Sequence, residues 1–436
     1  MSLKQSTVAK KALEQGKPMA VRTVELLEPL QPLADLQDYW GVRVFVTWQG
    51  VPIGSVDIAS DYQPVTDDQL AQAIAAAPDL MQNRDHLLCN RSFASASLPE
   101  HFSVSILVPT CNRPQDLRNC LQHLLKQQTA RSIEIIVIDN RPDSGLTSAI
   151  VAEFPGVKLV NEFRPGSSYA RNAGVAHSQG DIIVTIDDDA TPHTQWLENL
   201  IAPFSRPEVM SVTGNILPIE LETRAQQTFE VYGAGGLCRG FRCFEVNQAW
   251  LRQPTFAAPV WELGVTANAA FRASIFQHPE IGLWEEMLGA GVPAGGGEDI
   301  YFFYKILRAG FTHVYEPKAC VWHRHRRDFD AFCRQVRDYS QGFIAHHLLT
   351  LVRHKDLRSV LTMATLPMYH CKQVMFGLSG VRVYPISMVV QEILGNVSGA
   401  WGLWRSRQHV RRYGRSRLPA PPSQTVDPPR LVLSNS

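Results

Sequence analysis

Between residues 103 and 190, short apolar runs alternate with amphipathic stretches, and the runs end on polar residues. Val104-Ser-Ile-Leu-Val108 reads as a buried strand closing at Pro109. Pro114 then opens a helix with Leu117, Cys120, Leu121, Leu124 and Leu125 at helical spacing. Ile133 to Ile138 predicts a second strand ended by Asp139, and Val157 to Val160 a third. Tyr169 to His177 predicts a helix, and Asp181 to Ile186 a fourth strand ended by Asp187. This alternation predicts an α/β fold, a mostly parallel sheet with helices on both faces. Ligands of such sheets bind at the carboxyl ends of strands. Pro109, Thr110, Asn112, Arg113, Asp139 and Asp187 to Asp189 fall there.

The flanks read differently. Residues 1–18 are polar and are expected to fray. In 19–100, Gly41 to Trp48 and Val51 to Ile58 flank Gln49-Gly50 as a hairpin, and Asp67 to Met81 reads as helix, which predicts a β-rich accessory α+β domain. The catalytic domain is expected over 101–330 and a helical region over 331–417. Residues 418–436 form a Pro-rich tail expected to be disordered. Ile386, Val389, Val390, Ile393, Leu394, Val397, Trp401 and Trp404 share one helical face, although Gly395, Gly399 and Gly402 weaken the helix. Six arginines from Arg405 to Arg417 follow with no acidic residue among them. That pattern suits a helix lying on an anionic membrane surface, and equally a helix packed on the catalytic domain with a solvated basic end.

Composition narrows the classes. The 436 residues are 45% hydrophobic with a formal net charge of +1, so no charge excess points to nucleic acid. None of the eight cysteines forms a C-x-x-C pair. With no apolar signal core and no apolar run of about 20 residues, a cytoplasmic setting is expected, peripheral at the inner membrane face if the 386–417 segment binds lipid.

Three clusters carry chemistry. Asp187-Asp188-Asp189 stacks carboxylates at a strand end, where their repulsion calls for a cation; Asp187 and Asp189 suit a hard divalent ion, Mn²⁺ or Mg²⁺, bridging to a diphosphate. Thr191-Pro192 after it reads as a helix opening. Gly295-Gly-Gly-Glu-Asp299 precedes an apolar helix, Ile300 to Arg308. Its glycines allow close approach of a ligand, and Glu298 or Asp299 is placed to accept a proton from an acceptor hydroxyl. Val321-Trp-His-Arg-His325 follows a strand, Thr312 to Tyr315, and a turn at Pro317; one imidazole could complete a metal shell.

In this order, residues 103–327 resemble the family 2 glycosyltransferases, inverting enzymes of the GT-A fold. The resemblance runs through Val108-Pro-Thr-Cys-Asn-Arg113, Val137-Ile-Asp-Asn140, Arg164 to Gly174, Ile186 to Asp189, Gly264 to Arg272, Trp284 to Asp299 and His323. It implies that Pro109, Thr110, Asn112, Arg113 and Asp139 hold the nucleoside, with Arg171, Asn172, Asp187, Asp188 and Asn268 on the donor. It implies a metal on Asp187, Asp189 and His323. Trp284, Glu285 and Glu286 fall on the acceptor side. Asp299 is the implied general base and Glu298 the alternative. Processive members carry Gln-x-x-Arg-Trp and membrane helices, whereas Gln335-Val-Arg-Asp-Tyr339 does not match. The expectation is therefore a metal-dependent inverting hexosyltransferase that makes single additions, as in polysaccharide biosynthesis. Its donor would be a nucleotide-diphosphate sugar, and its acceptor a glycan, lipid-linked glycan or small molecule. A nucleotidyltransferase would need a Gly-rich basic loop where Pro109 to Pro114 stands, and an inactive sugar-nucleotide or glycan-binding protein would have lost the carboxylates.

Overall fold

The computed structural model describes residues 6–89, 98–231, 236–253, 255–378 and 385–419. In the N-terminal unit, β1 (Met19–Glu25), β2 (Gly41–Trp48) and β3 (Val51–Ala59) form a three-stranded sheet in that order. Gln49 and Gly50, both at positive φ, turn β2 antiparallel onto β3, the backbone such a tight hairpin requires. β1 pairs parallel with β2, and helices Asp67–Ala75 and Pro78–Cys89 cover the sheet over Leu36, Val44, Ile53 and Leu70. The expected frayed tail is instead a helix, Thr7–Gln15. Ser6 caps it by accepting from Ala9 N–H, and Ala12 and Leu13 are buried. The polar residues there occupy only its outer face.

The main sheet contains β4 (Val104–Thr110), β5 (Ile133–Asp139), β6 (Lys158–Asn161), β7 (Ile182–Ile186), β8 (Ala190–Pro192), β9 (Val209–Pro218), β10 (Phe244–Val246), β11 (Asn268–Arg272) and β12 (Thr312–His323). Its order is β10-β12-β9-β11-β7-β4-β5-β6, with β8 on the end of β12. β4 to β7, β9 and β12 run one way, and β8, β10 and β11 run against them. Alternate residues of each buried strand feed opposite layers. Ile106, Val108, Val137 and Val184 meet helix Pro114–Leu124, whereas Leu107, Ile136, Ile138 and Ile183 meet helices Ser167–His177 and Glu298–Arg308.

Two local readings change. Thr191-Pro192 opens no helix: it is β8, which pairs with β12 so that Ala190 faces His323 and Thr191 faces Trp322. Pro192 is tolerated because this short strand lies off the main path of the sheet. Pro317 makes no turn. β12 runs through it, and the irregularity falls between Glu316 and Cys320 as a register shift against β9.

The C-terminal region is helical, with Phe329–His354, Arg358–Ala364, Leu366–Leu378 and Ile386–Tyr413. The glycines that weaken the last helix on paper are its packing face. A Cβ on Gly395 would lie 2.4 Å from the Arg337 carbonyl oxygen, and one on Gly399 would lie 2.4 Å from Ile344 Cβ. Helix Phe329–His354 therefore approaches at near-backbone distance, and tertiary contact overrides intrinsic propensity. Leu418 packs on the main core, and residues 420–436 of the expected tail lie outside the described residues. No helix among the described residues is long and apolar enough to cross a membrane.

Candidate active site

Ligand atoms of Asp187, Asp189 and His323 lie within 4.8 Å of one another, a group able to hold a metal ion. Asp187 follows β7 and His323 ends β12; the β8–β12 pairing joins the two. His323 Nε2 is 3.1 Å from Asp189 Oδ1. Arg113, at the start of helix Pro114–Leu124, reaches Asp188 at 3.0 Å and Asp189 at 2.7 Å, and Thr110 donates to Asp188 at 2.6 Å. Arg171 lies 3.4 Å from Asp187 and 3.2 Å from Glu298, so one guanidinium spans both acidic groups.

Three carboxylates thus face two guanidiniums and an imidazole in a confined space. Burial pushes Asp188 up to about 7 and raises Asp187, each against the pull of an arginine. Burial also acts to raise Asp189, but His323 and Arg113 overcome it and hold that group below the carboxylate range. His323 is moved up by Asp189 against the opposing effect of burial, while burial takes His325 down. Two carboxylates and an imidazole are a suitable donor set for a hard or borderline divalent cation.

On the other side of Arg171, Glu298 and Asp299 open helix Glu298–Arg308. Burial, reinforced by the Glu298 charge, raises Asp299 to about 7. Asp299 accepts both the hydroxyl and the backbone N–H of Thr266, and Glu298 accepts from Ser167 at 2.9 Å. Thr266 and Ser167 did not stand out in the sequence. Tyr339 lies within electrostatic reach of Asp187 and Asp299. The glycines before Glu298 approach protein, not ligand: a Cβ on Gly297 would lie 2.6 Å from the Gly342 carbonyl oxygen on helix Phe329–His354.

The residues expected on the nucleoside side lie at neighbouring strand ends. Thr110 and Asp139 end neighbouring strands and are paired in register. Asp139 is buried and accepts from Arg141 N–H at 2.9 Å. Asn112 holds φ +57, sparsely populated for a residue with a side chain, and its Oδ1 is buried without a partner. Pro109 is the last residue but one of β4.

Other assigned residues are committed elsewhere. Both amide hydrogens of Asn268 bond carbonyls, of Asn215 at 2.9 Å and Ala319 at 2.8 Å, and its Oδ1 accepts from Trp196 at 2.8 Å. It ties three strands together and has no hydrogen left for a donor sugar. Asn172 bonds the Trp284 backbone in both directions and Glu286 at 3.2 Å. Trp284 is 2% exposed and stacks on Phe302 at 4.6 Å, so it is core. Glu285 pairs with Arg353 and Arg415, and Glu286 accepts from Ser416 N–H at 2.9 Å. Glu285 and Glu286 therefore hold residues of the C-terminal region and Trp284 packs in the core, and all three border a cavity of about 300 Å³.

Residues 105–277 match the family described as Glycosyl transferase family 2. That stretch runs from β4 to just past β11 and is what the chain shares with the family. Glycosyltransferase AglE of Haloferax volcanii is 33% identical over 119 residues, 26% of this chain and 39% of that protein. The Pre-mycofactocin glycosyltransferase of Mycobacterium tuberculosis is 26% identical over 266 residues, 59% of this chain and 49% of that protein. The chain thus spans half or less of the length of these curated relatives. Among solved structures, the mannosyltransferase PcManGT from Pyrobaculum calidifontis, in complex with GDP-Man and Mn²⁺, aligns with 76% of this chain and 98% of its own at 17% identity and a TM-score of 0.47.

Proposed function

We propose that this chain is a family 2 glycosyltransferase, metal-dependent and inverting. It moves a hexose from a nucleotide-diphosphate sugar to a hydroxyl of a glycan, lipid-linked glycan or small molecule, one addition at a time. The observation that carries the reading is Arg171, which links the Asp187-Asp189-His323 group to the Glu298-Asp299 pair with contacts of 3.4 and 3.2 Å. Leaving-group and acceptor chemistry thereby meet across one side chain.

The geometry supports the following roles. Thr110, Arg113 and Asp139 bind the nucleoside end of the donor. Asp187, Asp189 and His323 hold Mn²⁺ or Mg²⁺, which when bound supplies positive charge for the departing diphosphate. Arg171 keeps Asp187 and Glu298 apart and oriented. Asp299, raised to about 7 and less buried than Glu298, takes the proton of the acceptor hydroxyl. Attack from the Asp299 side, opposite the diphosphate, inverts the anomeric centre. A panel of nucleotide sugars with Mn²⁺ tests the reading. At least one should be hydrolysed slowly and should raise the melting temperature; no response to any of them would overturn it.

The C-terminal helices support a second part of the proposal, attachment to an anionic membrane at the cytoplasmic face. Helix Ile386–Tyr413 packs through its small residues and turns Val397, Trp401 and Trp404 outward, 78%, 60% and 50% exposed. The tryptophans stack at 4.7 Å, and Met368, Met375 and Leu378 of helix Leu366–Leu378 are exposed nearby in the chain. Packed and membrane-facing surfaces are thus two sides of one helix. Trp401→Ser with Trp404→Ser should reduce flotation with anionic liposomes and leave the fold intact, whereas unchanged flotation would refute this part.

A further inference from the structure

The contacts of His323 continue out of the active site. His323 Nδ1 lies 3.2 Å from His325 Nδ1, and His325 Nε2 lies 3.0 Å from Glu230 Oε1. Arg43 donates to Glu230 Oε2 at 2.9 Å and clamps Asp57 at 2.8 and 3.2 Å. Asp57 also accepts from the Ser6 hydroxyl, the cap of the first helix. The path therefore runs from β12 through helix Arg224–Val231 to β2 and β3 of the N-terminal unit. Arg43 and Glu230 keep only 14% and 11% of their side chains exposed, so water competes little for these bonds.

The order of donors along the path is fixed at its far end. Glu230 can only accept, so the shared proton with His325 sits on His325 Nε2. His325 Nδ1 is then the acceptor, and His323 Nδ1 is the donor. That leaves the His323 Nε2 lone pair facing the Asp187–Asp189 carboxylates. A metal-bound histidine commonly donates its second N–H to such an acceptor, which sets its tautomer and orientation. Here the acceptor is another histidine, held by an ion pair that the N-terminal unit completes.

We propose that Arg43, Glu230 and His325 are positioning residues through which the N-terminal unit orients His323 for the cation. This rests on the metal-site reading above. It gives residues 19–59 a role in catalysis without contact with substrate. Placement supports it too, since β3 packs beside β12 and Phe45 of β2 meets Trp322 edge-on at 5.2 Å.

The test uses the full chain and Mn²⁺ alone, titrated by electron paramagnetic resonance. Asp189→Asn should lose binding. Glu230→Gln, which keeps shape and removes charge, should weaken Mn²⁺ by about 10- to 100-fold, the usual effect of removing an outer-shell partner. Nitrogen NMR of histidine-labelled chain with Mg²⁺ should show His323 protonated at Nδ1 in the wild type and a mixture in the variant, a change that loss of packing alone would not produce. If Glu230→Gln does not fold, His325→Phe carries the test. It deletes the acceptor and keeps an aromatic ring against Phe229, whose centroid lies 4.5 Å from that of His325. Wild-type affinity and tautomer in the folded variant, with Asp189→Asn defective, overturn the relay and leave the metal site standing. Mn²⁺ binding that survives Asp189→Asn overturns the metal site itself, and the relay with it.

Discussion

Glu285 and Asp187 are both carboxylates near helix Glu298–Arg308, the first buried and the second half-buried, yet their surroundings differ in sign. Glu285 receives Arg353 and Arg415; burial opposes its charge, but the two guanidiniums hold it below its ordinary range. Asp187 shares its arginine with Glu298 and has Asp188 and Asp189 beside it, and it is raised. The first is a neutralised joint between the core and the C-terminal region. The second is short of positive charge until something cationic arrives. Both groups are carboxylates, and the balance of facing charges separates a brace from a site.

The strongest way to break this comparison is to remove the cation. EDTA should abolish transfer, and Mn²⁺ or Mg²⁺ should restore it; full activity in excess chelator would remove Asp187 and Asp189 from any metal role. Next comes the base. Asp299→Asn should lower kcat by about 10²–10⁴-fold, with donor affinity by calorimetry unchanged, since the nucleoside and metal groups remain. Glu298→Gln should cost less, because Glu298 is committed to Arg171 and Ser167. If the two effects exchange, the assignments exchange. In pH profiles, kcat/KM should climb towards a plateau above about 7, where Asp299 is ionised.

Glu285→Gln probes the other member of the pair. It strips charge from a joint holding Arg353 and Arg415, so the chain should lose about 1–3 kcal/mol of stability. Its kcat should stay near wild type once folded. A large fall in kcat without loss of stability would return Glu285 to the acceptor side.

The same contrast explains what could be read from sequence. β4, β5 and β7 were legible to within two residues because buried parallel strands are nearly continuous Val, Ile and Leu runs closed by polar residues. Asp187 and Asp189 were legible because β7 itself delivers them, and His323 because a resemblance located it. Glu285 was not, since its partners stand 68 and 130 residues away, Arg353 in helix Phe329–His354 and Arg415 just past helix Ile386–Tyr413, and no local pattern specifies how those helices dock. Asn268 failed for a related reason: its partners Asn215, Ala319 and Trp196 converge only when β9, β11 and β12 are side by side. The path to Arg43 left one trace, the two-residue spacing of His323, which ends β12, and His325 just beyond it.

The smallest predicted effect concerns stability and pH. Asp188 and Asp299, raised to about 7, favour their protonated forms in the folded chain more than in the unfolded one. Their contribution is therefore complete below the unfolded carboxylate range near pH 4 and is lost as pH rises through about 7. Asp189 and Glu285 are lowered, so they contribute above that range and lose their contribution as pH falls. Between pH 5.5 and 8 the raised pair loses its contribution as pH climbs, while His313, His346, His347 and His354, lowered by burial, regain theirs, so the effect of the carboxyls is read from the difference between wild type and a variant at each pH. Asp299→Asn removes one titrating charge, so its melting temperature should match the wild type at pH 5.5 and exceed it at pH 8, by about 2–4 °C for each kcal/mol gained. Mn²⁺ should raise the wild-type melting temperature more at pH 8 than at pH 5.5, because the cation favours the ionised Asp187–Asp189 group. Calorimetry or dye-monitored melting at the two pH values, with and without Mn²⁺, reads all of these. A variant less stable than wild type at pH 8 would mean that the Thr266 bonds to Asp299 outweigh the cost of burying its charge, and the comparison with Glu285 would then lose its energetic basis.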